Sequence, residues 1–416
     1  MNSSHKQNTF HDKKGGDQNH NIAIVIGAGA SGLAAAYALQ KREIAVRIIE
    51  KSSRAGDAWY HRHPQLHLNT HRHLSKLPGM AIPKTAGPFP SRDNIIQYLD
   101  DYAKRLTRQL DVAIDYGVTV ERISQSGSGW TIETDKGVYT THHVVVATGH
   151  DRVPHTPYWE GHKQFEKEII HAADLGDISR YQGKKILVVG AGNSGADVLN
   201  HLSTIDTDKL WVSVRDGPTV FPKRLFGVPV QRLSPVLIRL SIPAVDRLLS
   251  LTEKIAFGDL RKWGLHKHPL GGATRLAETG TTPAIDNGFI AALKAGRIVV
   301  VAEIKQFEST VVQLVDKQRI EPDIVISATG YRTGLESLLG HLNILDDTGI
   351  PPIQGAEQLQ DYPGLWFTGM KLRLSGVFLM AGDIAWEIAA AIEALEQSGD
   401  GVTFDKRTCE AKRALT

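Results

Sequence analysis

The sequence predicts an α/β chain of two doubly wound, parallel-sheet units, the second inserted into the first. Three observations predict it. An apolar run enters a glycine-spaced turn and then a small-residue helix twice, at "VIGAGASGLA" (Val25 to Ala34) and at "VVGAGNSGAD" (Val188 to Asp197). Both turns are followed by a second apolar run, as in a β-α-β unit. Later in the chain, both are answered by a buried-strand pattern closing on Ala-Thr-Gly: "HVVVATGH" (His143 to His150) and "DIVISATGY" (Asp323 to Tyr331).

The bulk properties allow this and exclude much else. A chain of 416 residues, 41% apolar and 22% charged, is long enough for two or three domains with cores of their own. Lys plus Arg number 48 against 45 Asp plus Glu, a net of +3, without a basic block, so neither nucleic acid nor a membrane surface is expected as a partner. The single Cys409 excludes an internal disulfide and a paired-thiol redox centre, which fits a reducing, cytoplasmic setting. A homo-oligomer is compatible with these properties. The first twenty residues are polar and read as a disordered lead-in, and the short tail after Gly399 reads similarly.

In the first unit, "NIAIVIGAGASG" reads as a buried strand entering the turn, "SGLAAAYALQKR" as a helix, and "IAVRIIE" as a second strand ending on Glu50. The glycines follow G-x-G-x-x-G spacing. Gly27 serves the tight turn, Gly29 the approach of backbone to a pyrophosphate, and Gly32 close helix–strand packing, while the helix N-terminus offers amide donors to phosphate. Glu50 lies 50 − 27 = 23 residues after Gly27, where a carboxylate accepts hydrogen bonds from an adenosine ribose.

The second unit repeats the spacing with Gly190, Gly192 and Gly195, but its second strand, "LWVSVRDG", ends on Arg215. A guanidinium there suits a 2′-phosphate, which makes NADP the expected nucleotide; the other reading is a solvated arginine after a strand. The chain is expected to leave the first unit near residue 153 and to return near 327. That gives a discontinuous first domain (21–153 and 327–416) and an inserted second domain (154–326). The apolar segment "GLWFTGMKLRLSGVFLMAGDIAWEIAAAI" completes the first domain, its last helix beside the first nucleotide.

With the paired fingerprints, "GNSGAD", "SATGY", "GDAW" (Gly56 to Trp59) and "FPSRDNIIQYLDDYA" (Phe89 to Ala103), the chain resembles the flavin-containing monooxygenases over about residues 22 to 395. The stretches "RLFGVP", "FGDLRKWGL" and "TPAIDNGFIAALKAGRIVV" are similar to the plant YUCCA branch and its bacterial relatives. The resemblance implies FAD in the first site and NADPH in the second. It adds Ser31, Lys51, Asp57, Trp59, Thr70, Thr148, Asn193 and Ser194 to the cofactor-binding residues. It also implies an enzyme that uses O2 and transfers one oxygen atom through a flavin (hydro)peroxide to a small organic substrate, either a soft sulfur or nitrogen nucleophile or a 2-oxo acid such as indole-3-pyruvate. The alternatives are an NADPH oxidase or reductase without oxygen insertion and a non-catalytic redox sensor.

The family motif F-x-G-x-x-x-H followed by an aromatic appears as "FEKEIIHAADL", with Phe165 and His171 kept, Lys167 in the glycine position and Leu175 in place of the aromatic. His171 either orients the domain interface beside the nicotinamide or is a satisfied interface histidine. In "LHLNTHRHL", Asn69 aligns with the family's Asn and is the expected catalytic side chain, a neutral donor at the flavin edge; the other reading is a strand end. His61, His63, His67, His71 and His73 surround it, but no acid or thiol stands nearby in sequence, so no metal is expected. Lys371 or Arg373 is expected to receive a substrate carboxylate or to be solvated. The substrate pocket is expected from residues 219–290 and 371–380.

Overall fold

The computed structural model describes residues 23–237 and 239–398. The expectations for the lead-in, the tail after residue 399 and Cys409 lie outside the described residues. Two five-stranded sheets carry the architecture, every neighbouring pair parallel. The first runs Leu365–Phe367, His143–Val146, Ala23–Ile26, Val46–Glu50, Ala113–Tyr116. The second runs Ile298–Val301, Lys209–Ser213, Lys185–Val189, Ile324–Ser327, Glu168–His171. In both, the strand entering the glycine turn is central, flanked by its β-α-β partner and by the strand ending in Ala-Thr-Gly. The two passages between the sheets lie side by side, Val153–Pro154 pairing antiparallel with Tyr331–Arg332.

Both sheets also carry a three-stranded antiparallel meander that the sequence reading did not resolve: Val120–Ser126, Gly129–Thr134, Gly137–Thr141, and later Ile304–Phe307, Val312–Leu314, Arg319–Ile320. Their strands mix buried and exposed residues and lack the continuous apolar runs at the centre of the parallel sheets. Each meander covers one sheet face, Ile123, Trp130 and Ile132 packing with Ile24, Val144 and Val146, and Phe307, Val312 and Leu314 packing with Leu187 and Val325.

The opposite face of the first sheet explains the composition of its helix. Ala30–Gln40 is buried along almost its whole length because the sheet lies on one side and the 22-residue helix Val377–Ser398 on the other. Leu33, Ala34, Ala35, Ala36, Ala38 and Leu39 have no exposed surface, and the alanines let the helices approach closely. Helix Arg92–Gln109 packs against the same core under a capping box of Ser91 and Asn94. Its Tyr98 hydroxyl accepts from Leu77 N–H at 2.7 Å and donates to the Met80 carbonyl at 2.7 Å; burial pushes this phenol up to about 12.

Two contacts fix the helix to the strand in each unit. A Cβ on Gly32 would lie 1.9 Å from the Gly27 carbonyl oxygen, and one on Gly195 would lie 2.0 Å from that of Gly190. No rotamer relieves a clash with backbone. Gly195→Ala and Gly32→Ala are therefore expected to lower Tm by several degrees, overpacking costing roughly 1–3 kcal/mol. Gly192→Ala, whose added Cβ would meet nothing within 4 Å, is expected to stay near the parent Tm. Equal melting of the two classes in a thermal scan would contradict this account.

Candidate active site

The two glycine turns are built alike. Gly27 (φ +106°) and Gly190 (φ +98°) hold backbone conformations that side chains rarely adopt, and a Cβ on them would press on the carbonyls of Ala147 and Ala328, at 2.9 and 2.8 Å. Thus the Ala-Thr-Gly strand ends pass directly beside both turns. At the middle glycines, Gly29 and Gly192, the space is open. Those two residues are also the N-caps of Ala30–Gln40 and Asn193–Leu202, and neither helix start is closed by a side-chain cap. First-turn donors facing an open cradle fit a pyrophosphate.

Around the first cradle, Glu50 lies at its strand tip, 9% exposed. One carboxylate oxygen accepts from Ala28 N–H at 2.6 Å and the other from Ser52 N–H at 2.8 Å, leaving each a further lone pair. Glu50 thereby fixes the turn as well as facing the groove. Ser31 is buried in the first helical turn, close enough to Gly369 that a Cβ there would lie 2.5 Å from its Oγ. The hydroxyls of Thr148 and Thr368, at the ends of adjacent strands, are buried without a protein partner. Such orphaned donors beside an open cradle fit a bound polar group. Trp59 packs on Phe378 at 5.8 Å, and Lys51 is exposed beyond the strand tip. Asp57 also braces the loop: Oδ2 contacts His61 (3.0 Å) and accepts from the Ser52 hydroxyl (3.1 Å), and Oδ1 faces Arg54 (3.2 Å), which leaves Oδ1 a further lone pair.

Asn69 is where the two units meet. Its Nδ2 donates to Asn193 Oδ1 at 3.3 Å, across 124 residues, so the expected catalytic amide touches the first residue of the second glycine helix. Ser194 follows in that first turn, partly exposed. Thr70 shares a 2.6 Å hydrogen bond with Ser75, and a Cβ on Gly376 would lie 2.6 Å from Thr70 Cγ2. The same loop reaches the second unit once more and the return passage once: His63 Nε2 lies 2.9 Å from Asp197 Oδ2, and Arg62 donates to the Tyr331 hydroxyl at 2.8 Å.

Three side chains that carried two readings find protein partners in the fold. His171 has no nitrogen left for a cofactor: Nδ1 accepts from Ala173 N–H at 3.0 Å, so Nε2 donates to the Gly330 carbonyl at 3.0 Å. Burial pushes its pKa down, and the ring packs edge-on to Tyr331 at 4.9 Å. It is a satisfied interface histidine. Lys371 and Arg373 have protein partners as well, the Lys371 ammonium donating to the Pro352 carbonyl and Arg373 facing Glu387 at 3.9 Å. The absence of a nearby acid, which argued against a metal at the histidines, does not hold in the fold: Asp57 reaches His61, and Asp197 reaches His63 from the second unit.

Arg215, the arginine expected at the 2′-phosphate, is 75% exposed beside Asp216 at 3.2 Å. Several further residues at the site carried no sequence signal. Arg275 lines the groove at Gly192 with Thr219, Thr281 and Thr282. Burial first pushes the Arg275 guanidinium below its usual range; the charge of Asp216 opposes this and that of Arg215 adds to it. Near Asn69, Lys223 and Arg224 lie over the Phe89 ring at 4.6 and 5.0 Å, with His71 edge-on to the same ring. Burial and then the charges of His73, Arg232, Arg72 and Arg224 push the His71 pKa down. These cations are scattered over 160 residues and carry no motif. Asn200, buried in the second glycine helix, ties in the insertion: it donates to the Ile285 carbonyl at 2.8 Å and accepts from Asn287 N–H at 2.8 Å.

Known proteins resemble the chain over most of its length. The model of the pyridine nucleotide-disulphide oxidoreductase family matches residues 24–217. The indole-3-pyruvate monooxygenase YUCCA4 of Oryza sativa subsp. japonica is 31% identical, covering 88% of this chain and 87% of its own. The indole-3-pyruvate monooxygenase YUCCA1 of the same organism is 30% identical over 84% of this chain and 87% of its own. Among solved structures, a flavin-containing monooxygenase from Stenotrophomonas maltophilia superposes with a TM-score of 0.66 at 22% identity, covering 90% of this chain and 98% of that one. Cyclohexanone monooxygenase does so with 0.66 at 19%, covering 94% and 91%. Among the described residues no helix is long and apolar enough to cross a membrane. With relatives this similar along this much of its length, the chain belongs to the flavin monooxygenases, as an FAD- and NADPH-dependent oxidoreductase that uses O2 and is related to the YUCCA enzymes.

Proposed function

We propose that the first glycine turn holds FAD, the second holds NADPH, and the oxygen atom goes to a 2-oxo acid of the indole-3-pyruvate kind. The observation that carries the reading is the contact between Asn69 and Asn193, which brings the expected catalytic amide of the first unit to the first residue of the second glycine helix. When bound, FAD activates dioxygen with electrons taken from NADPH.

The chain's own residues bind, orient and exclude water. Gly27, Gly29 and Gly32 with Ser31 hold the FAD pyrophosphate, Glu50 accepts from the ribose, and Lys51, Trp59, Thr70 and Thr148 line the remainder. Asp57 acts through the loop it braces. Gly190, Gly192, Asn193, Ser194 and Gly195 hold the NADPH pyrophosphate, with Arg215 and Arg275 toward the 2′-phosphate. Asn69 donates a neutral hydrogen bond at the reacting edge without adding charge. The domains are 21–153 with 327–416 for FAD and 154–326 for NADPH. A cytoplasmic setting belongs to the same reading, supported by the single Cys409.

The substrate class rests on two supports. The relatives named above are indole-3-pyruvate monooxygenases. The cations beside Phe89 and His71 offer a carboxylate a partner and an aromatic ring a surface, two residues beyond Asn69. Next to Lys223 and Arg224 along the chain, the insertion packs Phe221, Val245, Leu249 and Ile285 with Leu374 of the first unit.

Three outcomes are expected. Arg215→Ala and Arg275→Ala each raise KM for NADPH about ten- to hundredfold while NADH changes little, since a charge-assisted bond is worth roughly 1.5–3 kcal/mol; equal losses for both coenzymes make the pair structural. Asn69→Ala keeps flavin reduction by NADPH but releases more hydrogen peroxide per NADPH; unchanged coupling removes Asn69 from the mechanism. Lys223→Gln with Arg224→Gln raises KM for indole-3-pyruvate about tenfold or more with NADPH binding intact. Turnover of thioethers and amines without any of 2-oxo acids rejects the substrate class and leaves the monooxygenase standing.

A further inference from the structure

The histidines around Asn69 acquire a new partner in the folded chain. His63, Asp197 and His201 each offer one atom, and the three atoms lie within 4.8 Å of one another. His63 Nε2 is 2.9 Å from one Asp197 oxygen and His201 Nε2 is 3.6 Å from the other. The two imidazole rings stand 5.0 Å apart, nearly perpendicular.

Asp197 and His201 are four residues apart on helix Asn193–Leu202, a spacing that puts both on one face. His63 approaches that face from the loop of the other unit. The 3.6 Å separation is too long for a hydrogen bond. It is close to the roughly 3.3 Å expected between ligand atoms about 2.0–2.1 Å from one tetrahedral ion. Side-chain exposures of 6%, 20% and 21% for His63, Asp197 and His201 leave one ligand buried and a path from solvent to the other two.

We infer that His63, Asp197 and His201 form a divalent transition-metal site bridging the two nucleotide-binding units. Two imidazoles and one carboxylate suit zinc and its borderline neighbours and leave the fourth position to water. A bound ion ties the loop carrying Asn69 to the helix carrying Asn193, so the metal fixes the relation between the two cradles. It takes no part in the oxygen chemistry, and the site stands whatever the organic substrate is.

The test uses the full-length, flavin-loaded protein after chelator treatment, with Zn2+ in calorimetry and Co2+ in absorbance. The expected result is one Zn2+ site, a Co2+ ligand-field band to the red of the flavin, and a rise in Tm with Zn2+. Affinity should fall at least about tenfold in both His63→Gln and His201→Gln, with flavin content unchanged. His201→Gln, on a partly exposed position, keeps the test open if His63→Gln folds poorly. Absence of a site in the parent overturns the inference. So does a parent-like affinity in His201→Gln, which would place the ion on histidines elsewhere in the chain.

Discussion

Two hydrogen atoms where side chains would otherwise stand set the geometry of this molecule. The α-carbons of Gly32 and Gly195 lie so near the carbonyls of Gly27 and Gly190 that a methyl group would overlap them. Only at that separation does each glycine helix start directly over its strand tip, with free amide donors aimed into the cradle. The strand order follows, because the Ala-Thr-Gly strands must pass the same turn within van der Waals reach. Ala147 does so in one unit and Ala328 in the other.

The second constraint is how the units are joined. Their sheets repeat one plan, each with a parallel core and an antiparallel cover, but the surfaces facing each other are not repeats. One loop of the first unit, from Arg62 to Asn69, supplies the reaching residues, with His63 to Asp197 and Asn69 to Asn193 in the second unit and Arg62 to Tyr331 on the return passage. The return passage is held by His171 on the Gly330 carbonyl. A redox enzyme with two nucleotides must bring two reactive ends together and keep water away. Here that task falls to one loop, one helix start and an insertion packed over them.

Electrostatics at the site follow position more than composition. The chain carries only +3 overall, yet Lys223 and Arg224 share the Phe89 ring, while Arg215 and Arg275 both feel the carboxylate of Asp216. Conversely, Lys371 and Arg373, the cations singled out in the sequence, are occupied by Pro352 and Glu387.

The sequence by itself determined the two cradles, since glycine spacing, the apolar strands and Glu50 are local features enforced by backbone sterics and by hydrogen bonds within one β-α-β unit. Asn69 was legible through a family motif, although its meeting with Asn193 was not. The meanders escaped because their strands mix buried and exposed residues, without an apolar run to mark them. His171 and Asp57 could be named but not assigned, because the role of an imidazole or a carboxylate depends on which partners reach it. The pairing of Arg215 with Arg275, the cations on Phe89 and the approach of Asp197 to His63 were decided only by tertiary structure. In each case the partners lie far apart along the chain, and nothing short of the packed interface sets their distance.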